Sequence, residues 1–117
     1  MATVMLRRVY DSSPAGTYRI LVDRVWPRGL SKDHAAVDLW LRDVGPSTEL
    51  RKWFGHEPER FEEFARRYRE ELEGSAAFGE LKDAIAAHPR VELVYSARDE
   101  DHNQAVVLRD VLAGSGR

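Results

Sequence analysis

The sequence predicts an α/β fold: a small, mostly parallel sheet of about four strands covered by helices in a single domain. The chain has 117 residues, of which 43% are hydrophobic, and this is enough for one core without disulfide bonds. Short β-rich runs alternate with helical patterns in the order β, β, α, β, α, α, α, β, α. Helices between strands favour parallel pairing, because each helix returns the chain to the start of the next strand. We therefore expect one domain over residues 1–113 and a flexible tail over residues 114–117.

The first elements are two strands and a loop. Val4 to Val9 and Tyr18 to Val22 are rich in residues that favour strands. In residues 23–29, Pro27 and Gly29 disfavour regular structure. This segment is therefore predicted to be a loop after the second strand.

The middle of the chain is predicted to form a short helix, a strand and a second helix. Ser31 has the character of an N-cap for a helix over residues 32–38. Apolar and polar residues alternate over 39–44, which predicts a third strand. A further helix is expected to begin at Pro46-Ser47 and to end before Gly55.

The remaining elements are three helices and the last strand. Residues 58–73 carry an apolar stripe at helical spacing, and Ser75 caps a helix that ends at His88-Pro89. Residues 91–95 form a compact apolar strand. Asp99 is predicted to cap a last helix over residues 100–113. The stripe of the helix over 58–73 consists of Phe61, Phe64, Ala65, Tyr68 and Leu72.

The composition excludes several classes of function. With no cysteine, the chain has no thiolate zinc site and no cysteine nucleophile, which excludes active cysteine-dependent phosphatases and sulfur transferases. No targeting segment or long apolar run is visible, so we expect a cytoplasmic protein without a membrane segment. The net charge is −2, divided into +3 over residues 1–56 and −5 over residues 57–117. This division is compatible with a basic site on an acidic body.

Three polar segments follow predicted strands, and a parallel sheet would bring them to one edge. The first is the loop 23–29, where Arg24 and Arg28 could bind a carboxylate or phosphate through two parallel hydrogen bonds. The alternative is structural: Asp23 pairs with an arginine and Trp26 fills the core. For Arg28 we favour the ligand-binding interpretation.

The second segment spans residues 47–56. Ser47 begins a helix whose free N–H groups could bind an anion, and Arg51 lies one turn later on the same face. His56 follows a glycine and could act as an acid, a base or a ligand. An exposed loop histidine or a helix cap remains the alternative.

The third segment follows the last strand, at Ser96, Arg98 and Asp99. His102 is expected in the first turn of the last helix, where the helix dipole disfavours the charged imidazolium. Asn103 is either a ligand-binding residue or plain helix surface.

Metal and nucleotide motifs are absent from the sequence. His56, His102, Glu57 and Asp99 could in principle bind a metal, but no histidine pair has the i,i+4 spacing of a helical zinc motif, so no metal is predicted. Neither a P-loop nor a G-x-G-x-x-G fingerprint is present. No cofactor is identified.

These same three segments resemble the signatures of the YeaO-like family of bacterial proteins of unknown function. The matching stretches are residues 22–32 (VDRVWPRGLSK), 50–58 (LRKWFGHEP) and 95–108 (YSARDEDHNQAVVL). Val25 stands where we expect leucine, and Arg98 where lysine is frequent. The resemblance implies a small bacterial α/β domain and supplies no reaction.

Three functions remain open. In the leading hypothesis, a pocket binds the phosphate or carboxylate of a small molecule through arginines, with possible catalysis in which His56 or His102 moves protons and Asp23 orients a partner. In the second, a nucleic acid binds to a basic surface with stacking tryptophans, although the net charge of −2 counts against it. In the third, the arginines and histidines only brace the loops of an interaction module. The nucleic-acid surface would comprise Arg24, Arg28, Lys32, Arg51, Lys52, Trp26 and Trp53.

Overall fold

A computed structural model of the chain describes residues 3–114. Its centre is a sheet of four strands: β1 (Thr3–Arg8), β2 (Tyr18–Leu21), β3 (Leu39–Trp40) and β4 (Arg90–Tyr95). The strands lie in the order β1-β4-β2-β3, and every pair is parallel. The predicted α/β fold class is confirmed.

Five α-helices occur among the described residues, and most of them pack on one face of the sheet. They are α1 (Lys32–Ala35), α2 (Thr48–Phe54), α3 (Phe61–Leu72), α4 (Ala76–Ala86) and α5 (Gln104–Gly114). Short 3₁₀ turns occupy Arg42–Val44 and Pro58–Arg60, the second leading directly into α3. Within residues 3–114 no helix combines the length and the apolar character needed to cross a membrane.

The two faces of the sheet are covered differently, because successive strand residues point to opposite sides. On the first face, Ile20 and Leu93 belong to a large core with the apolar stripe of α3. On the second face, Leu21 and Val94 belong to a small cluster under α1. The larger core also includes Phe54, Phe64, Tyr68, Leu81, Tyr95 and Leu108.

Two middle elements are shorter than predicted. The helix predicted over 32–38 ends at Ala35, because Ala36 adopts a left-handed conformation with φ 49° and closes the helix. The strand predicted over 39–44 contains only Leu39–Trp40, and a 3₁₀ turn follows it. Because this turn directs Val44 into the core, the backbone leaves the edge of the sheet early.

The last helix begins four residues later than predicted. The carboxylate of Asp99 accepts hydrogen bonds from the backbone N–H of Asp101 (2.9 Å) and His102 (3.1 Å), forming a local turn that does not continue as a helix. Asn103 is the actual cap, since its Oδ1 accepts from the N–H of Ala105 (2.9 Å) and Val106 (3.2 Å). His102 therefore precedes the helix instead of lying in its first turn. Of the predicted tail, Gly114 is the last residue of α5, and residues 115–117 lie outside the described part of the chain.

Candidate functional site

A small cleft of about 120 Å³ lies where β2 and β4 end side by side. Its position agrees with the general rule that ligands bind at the carboxyl ends of parallel strands. Six of the ten predicted site residues line it, namely Asp23, Arg24, Arg51, His56, Ser96 and Asn103.

Asp23 is the buried centre of the cleft, with only 7% of its surface exposed. Its Oδ2 accepts hydrogen bonds from the backbone N–H (3.0 Å) and the hydroxyl (2.5 Å) of Ser96, and its Oδ1 accepts from the side-chain amide of Gln104. Burial raises the pKa of Asp23, although its hydrogen bonds and the positive charge of Arg51 act to lower that pKa. This carboxyl group therefore connects the ends of β2 and β4 to the start of α5.

Arg24 and Tyr68 together support the segment that leads into α2. Arg24 donates from Nε to the carbonyl of Pro46 (2.8 Å) and from Nη2 to that of Gly45 (2.9 Å), while the Tyr68 hydroxyl donates to the carbonyl of Val44 (2.5 Å). Burial strongly raises the pKa of Tyr68, which keeps its hydroxyl protonated as a donor. Three successive carbonyls are thereby bound, and the start of α2 is held beside the cleft.

Gly45 is needed in this segment because the backbone closely approaches the residues that directly follow β2. A Cβ at this position would lie 3.2 Å from the carbonyl oxygen of Val22 and 3.3 Å from the backbone nitrogen of Arg24. A side chain here would push the two segments apart.

Arg51 and His56 are the cleft residues whose functional groups are free. Neither side chain makes a hydrogen bond or an ion pair within residues 3–114, and both are exposed. His56 has φ 59°, in the left-handed region that non-glycine residues seldom occupy, and its ring lies 6.2 Å from that of Phe54. These two groups are available to a ligand.

Ser47 lies outside the cleft, and its hydrogen-bonding groups are occupied. It caps α2 as predicted, with its hydroxyl oxygen accepting from the N–H of Leu50 (3.1 Å). Its own N–H (2.8 Å) and hydroxyl (2.6 Å) donate to the carboxylate of Glu71. A protein carboxylate thus already occupies the position where an anion was expected.

The other predicted residues outside the cleft are His102, Arg98 and Arg28. The Nδ1 of His102 lies 2.9 Å from the carboxylate of Asp99, and its ring meets that of Phe61 edge-on at 5.2 Å. Backbone and side-chain hydrogen bonds lower the pKa of Asp99. Arg98 and Arg28 are exposed on neighbouring loops.

Sequence reasoning did not find Gln104, which donates to Asp23. This residue directly follows the true helix cap, Asn103, so it belongs to the first turn of α5. Placing the cap at Asp99 assigned Gln104 to the wrong turn. The Asn-Gln pair before an apolar run was the available signal.

No group of three or more His, Asp and Glu side chains suited to holding a metal ion occurs among residues 3–114. His56 and His102 do not share a site: His56 lines the cleft, and His102 packs against Phe61 and Asp99 outside it.

The fold and the cleft define a class: a small, all-parallel α/β domain with a mixed polar and apolar cleft at the strand carboxyl ends. Over residues 3–115 the sequence matches the DUF488-N3i family, described as the inactive DUF488-N3 subclade. The chain belongs to this family.

Relatives of similar length support the assignment. An uncharacterized protein of Mycobacterium tuberculosis is 46% identical over 112 residues, covering 95% of this chain and 94% of its own. The uncharacterized protein YeaO of Escherichia coli is 41% identical over 110 residues, covering 93% of this chain and 96% of its own. The resemblance to the YeaO-like family is confirmed. No solved structure matches the chain.

Proposed function

We propose that this protein binds one small anionic group, a carboxylate or phosphate, in the cleft without transforming it. The observation that carries the proposal is the guanidinium of Arg51, which lines the cleft and has no hydrogen-bond partner within residues 3–114. A guanidinium offers a planar set of donors that matches the oxygens of an anion.

The charge of the cleft supports an anion over a cation. Two guanidinium groups, of Arg24 and Arg51, line it against the single carboxyl group of Asp23. The oxygens of Asp23 already accept three hydrogen bonds, so little acceptor capacity remains for a cationic ligand.

The size of the cleft limits what enters it. Its volume of about 120 Å³ is below the roughly 300–1,000 Å³ of sites for drug-sized ligands. A single anionic group fits this space, whereas a whole nucleotide would lie mostly outside.

Two observations favour binding over catalysis. The family is described as an inactive subclade. In addition, no side chain within residues 3–114 forms a hydrogen bond that would orient the ring of His56 as a general base.

The nucleic-acid alternative is weakened because the two tryptophans it needs for stacking are engaged by other groups of the protein. Trp53 is covered by the guanidinium groups of Arg60 (5.6 Å) and Arg67 (4.4 Å). Trp26 is fixed by a hydrogen bond from its indole N–H to the carbonyl of Leu30 (2.7 Å). Stacking of bases requires free aromatic faces.

The proposal is tested by titrating the protein with inorganic phosphate and with acetate at constant ionic strength, following backbone amide shifts by NMR. We expect shifts at the ends of β2 and β4 and at least a tenfold weaker affinity in Arg51→Gln, since hydrogen bonds to charged groups contribute about 1.5–3 kcal/mol. Arg69→Gln, on the exposed face of α3, is the matched control and should bind like the wild type. Equal affinity of Arg51→Gln and wild type would refute the proposal.

A further inference from the structure

The cleft has an apolar side that a bare inorganic anion would not use. Buried rings of Phe54 and Phe64 line it, stacked with their centroids 4.3 Å apart and their planes at 20°. Ala97 adds a methyl group to the same lining. This wall is rigid because both rings belong to the main core.

Val25 extends this apolar lining to the solvent. It lines the cleft and is nevertheless 58% exposed. Within residues 3–114 it is the most exposed of the large hydrophobic residues. A ligand that covers this apolar side chain removes it from water, and this stabilises the complex. A ligand with both an anionic group and an apolar body would contact Arg51 and Val25 together.

The electrostatics of the cleft favour a singly charged group. Asp23 and Arg51 line the same cleft, so an anion bound to Arg51 also approaches a carboxyl group. The Arg24 guanidinium already lies 3.7 Å from the carboxylate of Asp43, whereas Arg51 has no ion-pair partner within residues 3–114. A carboxylate balances Arg51 with one charge, but a phosphate monoester, with about −1.5 to −2 charges, leaves excess negative charge beside Asp23. The flat carboxylate also matches the two parallel donors of a guanidinium.

We propose that the ligand of the cleft is a small organic monocarboxylate with an apolar alkyl or aryl body, held by Arg51 at the carboxylate and by Val25 at the apolar part. This inference rests on the proposed function and specifies the chemical class of its ligand. The carboxylate lies at the polar end of the cleft, and the apolar body lies against the phenylalanine wall and extends past Val25.

The test compares four probes by calorimetric or NMR titration at constant ionic strength: acetate, benzoate, cyclohexanecarboxylate and inorganic phosphate. We expect benzoate and cyclohexanecarboxylate to bind roughly tenfold more tightly than acetate, because each buries a ring against apolar side chains. Val25→Ser should reduce this ratio several-fold. Met5→Ser changes another exposed hydrophobic residue, on β1 away from the cleft, and should leave the ratio as it is.

The outcomes distinguish the proposed ligand class from the proposal of anion binding on which it rests. Equal affinity for acetate and benzoate, with both lost in Arg51→Gln, would overturn the apolar ligand and leave anion binding intact. Tighter binding of phosphate than of benzoate would overturn the choice of a carboxylate. If none of the four probes binds, both the proposal of anion binding and the proposed ligand class are refuted.

Discussion

Asp23 contacts several elements of the fold through hydrogen bonds. Its carboxyl group accepts hydrogen bonds from Ser96 after β4 and from Gln104 at the start of α5, while its own backbone carbonyl accepts from the indole of Trp40 (2.7 Å) in β3. Burial nonetheless raises its pKa, so the charged form is less favourable in the folded state than in the unfolded chain. The residue thus connects the elements around the cleft at an electrostatic cost.

Removing this carboxyl group should destabilise the fold. In Asp23→Ala, the N–H and hydroxyl of Ser96 and the amide of Gln104 lose their acceptor, and we expect a loss of about 2–4 kcal/mol in the free energy of unfolding. Urea denaturation measures this loss, with Asp83→Ala on the exposed face of α4 as the control. A loss no larger than that of the control would show that the three hydrogen bonds contribute little.

The raised pKa of Asp23 also sets the sign of a pH dependence. The stability that its protonated form contributes is complete below the unfolded value of 3.8 and is lost as the pH rises through the folded pKa. The free energy of unfolding of the wild type should therefore fall, relative to that of Asp23→Asn, as the pH rises from 3 to 7. A rise in place of the fall would contradict the assigned direction.

At the scale of the elements, Tyr68 of α3 supports the cleft from a distance. In Tyr68→Phe, the carbonyl of Val44 loses the donor at 2.5 Å, and we expect the free energy of unfolding to fall by about 1–2 kcal/mol. Tyr18→Phe is the same chemical change at a hydroxyl that makes no hydrogen bond within residues 3–114, and it should cost under about 0.5 kcal/mol. Equal effects of the two substitutions would show that this hydrogen bond does not matter.

An element could be predicted from the sequence where a local pattern of residues determines it. The helix α3 was predicted because its apolar stripe is local and periodic, and the cap and end of α2 were predicted from Ser47 and Gly55. The start of α5 was missed because Asp99 and Asn103 are both good caps, and the choice between them depends on which one the rest of the fold places at the helix. Local patterns cannot settle such a choice.

The same distinction applies to the cleft residues. Asp23, Arg51 and His56 were predicted because parallel strands bring their loops to one edge of the sheet. That Arg24 would bind two backbone carbonyls, and that Ser47 would meet Glu71, depends on contacts across more than 20 residues of chain. Sequence reasoning brought these loops to one edge of the sheet but could not say which charged side chains the protein itself would bind.

At the scale of the whole molecule, the two faces of the sheet are held by different means. Helices and a large apolar core cover the first face. The second has a small apolar cluster and a buried arginine, Arg19, which donates to the carbonyls of Val9 (2.9 Å), Asp11 (3.0 Å) and Ala35 (3.1 Å). Its guanidinium holds the loop after β1 and the short helix α1 against the sheet, so this covering combines a small apolar cluster with buried polar contacts.

This asymmetry predicts the order in which backbone amides exchange with solvent. The strand β4 is paired on both sides and buried over 91–95, so its amides should exchange only through global unfolding, with those of β2 close behind. The two-residue edge strand β3, the helix α1 and the turns over 97–103 should exchange through local opening, orders of magnitude faster. Native-state hydrogen exchange followed by NMR measures both groups in one sample. Protection of α1 equal to that of β4 would mean that the Arg19 covering is as stable as the apolar core, and the two faces would then unfold as one unit.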